Sequence, residues 1–275
     1  MGRPSMFTDE ENQFMKDNYK NMSYKKIADI LGYTERQIRG RINNMGLTKN
    51  RDFNKRYFQY IDTPEKAYYL GFIFADGYLM EHDDYRGSEL GWELQSQDGY
   101  ILKKFDDAIG GDHIIYHKEA CERMIVGNLC HKQESDVLRI YSTDMVNDLK
   151  SHGVVPRKTY KKEYPVVSDD LFFDFLRGYI DGDGCYHADK NNHLMMHITC
   201  AFDDVLIYIK DILNKHGIKS SIYQELERKY RLYCYNKESI SKLLHKLYYK
   251  SDILCLKRKF DIISPFLNQA PPSSN

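Results

Sequence analysis

The stretch Tyr69–Gly77, Y-L-G-F-I-F-A-D-G, and its echo Leu176–Gly184, L-R-G-Y-I-D-G-D-G, restrict this chain more than any other feature. Each reads as the last two turns of an apolar helix. Small residues recur four apart, Gly71 and Ala75 in one copy and Gly178 and Gly182 in the other. Positions i and i+4 share a helix face, so each helix offers a smooth stripe against which another backbone can pack closely. An acid follows, Asp76 or Asp183, and then a glycine suited to the left-handed position that ends many helices. The acids lie 107 positions apart, which points to a duplicated unit.

The acid is badly placed for stability. A carboxylate at a helix C-terminus meets the negative end of the helix dipole, at a cost of about 0.3–1 kcal/mol. If the two helices pair through their small-residue faces, the carboxylates also meet each other. At about 5 Å and an effective dielectric near 20, that repulsion is roughly 3 kcal/mol. A divalent cation between them reverses both effects. An Asp-Gly turn alone often ends a helix, but here the whole nine-residue pattern repeats.

Composition narrows the class without choosing a function. The 275 residues suffice for one large or two to three small domains. No apolar run approaches the ~18 residues of a membrane span, and the start, M-G-R-P-S-M-F-T-D-E-E, lacks an apolar signal region. Six irregularly spaced cysteines read as reduced thiols, so the expectation is an intracellular protein. Net charge is zero, yet residues 1–60 hold twelve Lys/Arg against seven Asp/Glu. That segment carries +5 and the remainder −5.

Within residues 1–48, Thr8 with Glu11, Ser23, and Thr34 with Gln37 are N-caps of three short helices, the last two stopped by Gly32 and Gly46. Three helices with a tight turn before the third match a helix-turn-helix, and F-T-D-E-E resembles the start of Myb-like modules. The third helix carries Arg36, Gln37, Arg39, Arg41, Asn43 and Asn44, side chains that can bond base edges. Residues 49–62 read as a basic, aromatic linker with Lys49, Arg51, Lys55 and Arg56, able to follow a phosphate backbone. Gly2-Arg3-Pro4 is weak evidence for a minor-groove hook, and 268–275, N-Q-A-P-P-S-S-N, has a disordered composition.

Beyond Thr63-Pro64 the chain reads as two repeats, 63–160 and 161–267, each a helix followed by strands, helix, strands and helix. The first predicts strands at Gly91–Gln97, His113–His117, Arg123–Val126 and Val137–Ser142, with helices at Tyr100–Ile109 and Asp144–His152. The second predicts strands at Met195–Phe202, Ser220–Leu226 and Tyr230–Tyr235, with helices at Val205–His216, Ser239–Tyr249 and Arg258–Phe266. The expected fold class is α+β: two pseudo-symmetric αββαββα repeats with the duplicated helices at their seam. Their sheets then lie side by side as a saddle that can straddle a duplex. A separate group, His113, His117, Cys121, Cys130 and His131, has no common zinc-finger spacing, so ordinary packing is expected.

The duplicated stretches resemble the LAGLIDADG motif of homing endonucleases over nine positions twice, with Asp76 and Asp183 on its final acid. Phe74 departs from the earlier acid position, where the second copy keeps Asp181, and Arg177 replaces a small residue. The resemblance implies Mg²⁺-dependent hydrolysis of both strands of a long, asymmetric DNA site by a monomer, with Mn²⁺ able to substitute. It implies metal ligation by the Asp76 and Asp183 carboxylates and the Ala75 and Gly182 carbonyls. It also implies water-ordering lysines near each repeat's end, Lys158 in P-R-K-T and Lys259 in L-K-R-K-F. A polar residue on the strand after the motif positions water in this family, which points to Gln97 or Gln95 in the first repeat and, less well, Cys200 or Thr199 in the second. Intron or intein homing goes with such enzymes. A non-cleaving transcription regulator on the same scaffold and an RNA-splicing maturase are the rival readings, the first disfavoured because binding alone needs no mutually repelling acids.

Overall fold

The computed structural model describes residues 6–19, 22–47, 53–82, 87–125, 128–156 and 164–267. Lys158, Lys49, Arg51, Gly2-Arg3-Pro4 and the tail 268–275 lie outside them. Local signals set the first three helices. Thr8 caps α1 (Asp9–Asn18) in a reciprocal box with Glu11, Ser23 caps α2 (Tyr24–Leu31), and Thr34 caps α3 (Glu35–Asn44) in a second box with Gln37. Gly32 ends α2 at φ 74°, where a side chain would be strained. Phe7, Met15, Ile27, Ala28, Ile38 and Ile42 give these helices a hydrophobic core of their own.

The supposed linker is, from Phe53 on, part of the main core. Phe53, Tyr57 and Phe58 are buried there. The Phe58 carbonyl lies 2.9 Å from His152 Nε2, and Arg56 pairs with Asp148 at 2.9 Å rather than standing free for phosphate. Aromatic rings spaced through a basic stretch bury themselves wherever an apolar face is within reach, because that removes more surface from water than any other side chain would.

The first repeat runs α4 (Pro64–Asp76), β1 (Gly77–Glu81), β2 (Ser88–Gln95), a 3-10 turn at Ser96–Asp98, α5 (Tyr100–Ala108), β3 (Tyr116–Lys118), β4 (Cys121–Ile125), β5 (Asn128–Lys132), β6 (Ser135–Tyr141) and α6 (Thr143–Ser151). The second runs α7 (Phe172–Asp183), β7 (Gly184–Ala188), β8 (Leu194–Cys200), α8 (Asp203–Lys215), β9 (Ser221–Leu226), β10 (Lys229–Cys234), α9 (Lys237–Leu247) and α10 (Lys257–Leu267). The antiparallel sheets have equivalent orders, β1-β2-β6-β3 and β7-β8-β10-β9. β4 and β5 form an extra hairpin that the second repeat replaces by the tight Glu227-Arg228 connection. Among the described residues no helix is long and apolar enough to cross a membrane.

Three strands were not anticipated, β5 and the two that follow the motif helices. β1 and β7 begin on the residue directly after each motif helix, so no turn signal separates helix from strand. Gly77 and Gly184 are correspondingly extended, at φ −69° and −94°, not left-handed as expected. Glycine is needed there for space: a Cβ would fall 2.7 Å from Ile73 Cγ2 or Ile180 Cγ2. The strand expected at His113–His117 is only the short β3, and β5 escaped notice.

α4 and α7 pack through the glycine stripes. A Cβ on Gly71 would overlap the carbonyl oxygen of Phe175 and stand 2.9 Å from Tyr179 N. A Cβ on Gly178 would overlap the carbonyl oxygen of Tyr68 and stand 2.9 Å from Phe72 N. Tyr68 and Phe72 are the two-fold counterparts of Phe175 and Tyr179, so one contact is made twice. At the last turn a Cβ on Gly182 would overlap that of Ala75. α7 is buried from Phe172 to Asp181 and α4 from Ala67 to Ile73.

Replacing Gly178 by Leu should therefore cost about 3 kcal/mol or more, because neither backbone can yield to the new side chain. Gly40→Ala, on a helical glycine with nothing within 4 Å of the new methyl, should instead stabilise by roughly 0.5–1 kcal/mol. Urea unfolding of both variants checks the contrast, and a Gly178→Leu protein as stable as the parent would refute the close seam.

Candidate active site

The seam delivers Asp76 and Asp183, both exposed, to the same end of the helix pair. Asp76 Oδ2 lies only 3.2 Å from where a Cβ on Gly182 would sit, so the glycine leaves the space its carboxylate uses. A cleft of about 280 Å³ opens beside Asp183, lined also by Phe74, Ala75, Tyr179, Thr199 and Cys200. Thr199 Oγ1 accepts from Arg231 Nε at 3.2 Å. The structure thus brings Thr199 and Cys200 to the second acid. Gln97 is exposed on the 3-10 turn after β2, where its amide donates to Gln95 Oε1 at 2.8 Å.

Lys259 is 4% exposed. Its ammonium donates to the carbonyls of Ile180, Asp181 and Gly184 at 2.7, 2.7 and 2.6 Å, one for each of its three N–H groups. It neutralises the carbonyl end of α7, the helix that Asp183 ends, and is close enough to Asp76 to feel that charge. Burial lowers its pKa, with the Asp181 charge opposing.

Asp181, which keeps the motif's earlier acid, and Arg177, which departs from the motif, tie the seam to the C-terminal segment. Asp181 Oδ2 accepts from Tyr68 Oη and from the Leu256 N–H, each at 2.8 Å. Burial lifts its carboxyl to about 6 against the Lys259 charge and these two donors, and Oδ1 has no hydrogen-bond partner. In the first repeat the same two-fold position is Phe74, whose ring packs on Phe175 at 5.7 Å. A hydrogen bond on one side of the axis is therefore a ring contact on the other. Arg177, 1% exposed, donates to the carbonyls of Leu254 and Leu247 and to Asp174 Oδ1. Arg258 donates to Asp98 at 2.8 Å, joining the end of the second repeat to the first. The roles of Arg177, Tyr68 and Asp181 escaped the sequence reading, although an arginine amid an apolar motif marks a buried guanidinium with acceptors built around it.

The donor set suits a hard cation. Among the described residues, the stretch from His113 to His131 included, there is no group of three or more His, Cys, Asp and Glu that could hold a metal. There His113 bonds Asp106, His117 bonds Asp136 and His131 pairs with Glu122. Two carboxylates beside main-chain carbonyls leave most coordination to water and phosphate oxygens, the manner in which Mg²⁺ is usually held. On the first three helices, Arg36, Asn43 and Asn44 are exposed on α3. Arg39 pairs with Glu35, Gln37 is spent in the Thr34 cap, and Arg41 donates to Asn12 Oδ1 at 2.7 Å.

Lys259→Met should destabilise the protein by about 3 kcal/mol or more, since buried carbonyls at a helix end lose a charged donor. Lys257→Met, which removes only an exposed pair with Asp261, should change stability by less than about 0.5 kcal/mol. Denaturant midpoints of the two variants read this directly, and equal midpoints would contradict the cap.

Residues 171–248 match the family described as LAGLIDADG-like domain. No curated protein matches the chain by sequence. Among solved structures, the I-WcaI homing endonuclease bound to its DNA recognition sequence is 16% identical, with 79% of this chain and 96% of that one aligned at a TM-score of 0.50. The I-LtrWI LAGLIDADG homing endonuclease bound to target DNA is 13% identical over 78% and 90%, also at 0.50. Mesophilic variants of I-DmoI are 16% identical over 72% and 93%, at 0.45. The second repeat is accordingly a LAGLIDADG-like domain, and the chain has the two-domain fold of the LAGLIDADG proteins.

Proposed function

We propose that this protein is a site-specific, divalent-metal-dependent endonuclease of double-stranded DNA. The observation that carries the reading is the pair of exposed carboxylates at the joined ends of two helices whose backbones touch. Two carboxylates at adjoining helix C-termini favour a cation between them. The folds that resemble it at a TM-score of 0.50 belong to homing endonucleases solved on DNA, which supports a duplex as the partner.

Asp76 and Asp183, with the Ala75 and Gly182 carbonyls, would hold the metal. When bound, Mg²⁺ supplies water of lowered pKa and charge stabilisation at the phosphate. The chain's own contribution is position. The glycine seam sets the carboxylates near each other, and Lys259 holds the carbonyl end from which Asp183 projects. Thr199 and Cys200 offer polar atoms beside Asp183, and Gln97 is assigned to the first repeat on resemblance. Lys158 is assigned to the first repeat on resemblance alone.

Both motif helices belong to one chain, which favours a monomer. Phe74 against Asp181, and a hairpin in one repeat only, make the halves unlike, which favours an asymmetric target. The exposed Arg36, Asn43 and Asn44 of α3 support a helix-turn-helix role that lengthens the footprint, with Arg39 recruited from its exposed ion pair.

Asp76→Asn and Asp183→Asn should each reduce double-strand cleavage with Mg²⁺ or Mn²⁺ by at least ~10²-fold while leaving duplex binding within a few-fold of the parent. Selection of cut sites from a randomised DNA library supplies the substrate. Binding without cleavage by the parent under all divalent ions would support the regulator reading instead.

A further inference from the structure

The Lys and Arg side chains on the outward faces of both four-stranded sheets are charge-compensated. The eight strands contain four Lys and Arg residues, Lys118, Arg139, Lys229 and Arg231. Every one pairs with a glutamate of its own sheet. Lys118 meets Glu93 at 2.7 Å and Arg139 meets Glu89 at 3.6 Å. Lys229 and Arg231 meet Glu225 at 3.2 and 2.7 Å. Lys132, at the foot of the extra hairpin, reaches back to Glu93 at 2.6 Å.

These side chains share the face turned away from the core. In β2, Leu90, Trp92 and Leu94 are buried in the core, so the alternating Glu89 and Glu93 point outward. Register places Arg139 opposite Gly91 and Tyr141 opposite Glu89 on that same face. In the second sheet Ile198 and Leu232 are core, which leaves Thr199, Arg231 and Tyr233 outward. Glu93 accepts from Lys118, Lys132 and Ser135 Oγ. Burial raises its pKa, but those three donors outweigh it and hold the carboxyl at about 2. It stays ionised at any working pH.

A surface meant only to attract phosphate has no use for such carboxylates. We propose that Glu93 and Glu225 are specificity-determining residues of the DNA interface: they tether the sheet cations so that these reach a duplex only where base edges or phosphates displace the glutamate in register. General attraction is left to the N-terminal segment, whose residues 1–60 carry the +5 noted above. This inference rests on the DNA-binding reading of the fold.

Glu93→Gln in the full chain releases Lys118 and Lys132. Binding to a short random-sequence duplex, in EDTA and across a KCl series, should tighten by about three- to tenfold at low salt, with a log–log salt slope steeper by roughly 1–2. Adding Lys118→Gln and Lys132→Gln to Glu93→Gln should return slope and affinity to parental values, which misfolding could not do. Glu225→Gln should act in the same direction. An unchanged or shallower slope in folded Glu93→Gln, confirmed by its thermal melt, would overturn the tethering role while the DNA reading stands. A parent that fails to bind any duplex at low salt would overturn both.

Discussion

The structure depends on the contact of two helix backbones. Gly71 and Gly178 each meet a main-chain carbonyl of the opposite helix, at Phe175 and Tyr68, where a single methyl would collide. Apolar side chains could have held these helices together, but at a greater separation. Only the loss of side chains allows an approach that leaves Ala75 against Gly182 and brings the two terminal acids into one site. The sheets follow from this, since β1 and β7 start on the residue after each helix and inherit its position.

Close approach creates a chemical problem that the rest of the second repeat answers. The carbonyl end of α7 and the buried Asp181 carboxyl both need donors in the protein interior. Lys259, Tyr68 and the Leu256 N–H provide them, and Arg177 satisfies the carbonyls of the segment that delivers them. The first repeat solves the same position with Phe74 and ring packing. The two halves thus differ where polar satisfaction can be exchanged for apolar contact, and they are not equivalent.

The same economy of charge extends to the sheets. Their cations are countered strand by strand, while the positive excess lies in the N-terminal segment. A neutral total is therefore a sum of unlike parts. Regional charge carries the physical information because fields are screened within about 10 Å.

Periodicity, caps and the duplicated motif determined most elements, the two-repeat architecture and the seam, because helix faces and capping boxes depend on residues a few positions apart. The acids at the site were legible for the same reason, since an unfavourable carboxylate repeated at one place in a motif needs a use. What tertiary structure alone decided is how polar groups distant in sequence are satisfied. Lys259 became a cap for a helix some eighty residues earlier, and Gln37 and Arg41 turned inward to their own module. Gly77 and Gly184 proved to be chosen for space beside isoleucine, not for a left-handed turn. Each outcome depends on which partner lies within about 3 Å in the folded chain, and a sequence lists donors and acceptors without saying which of them will meet.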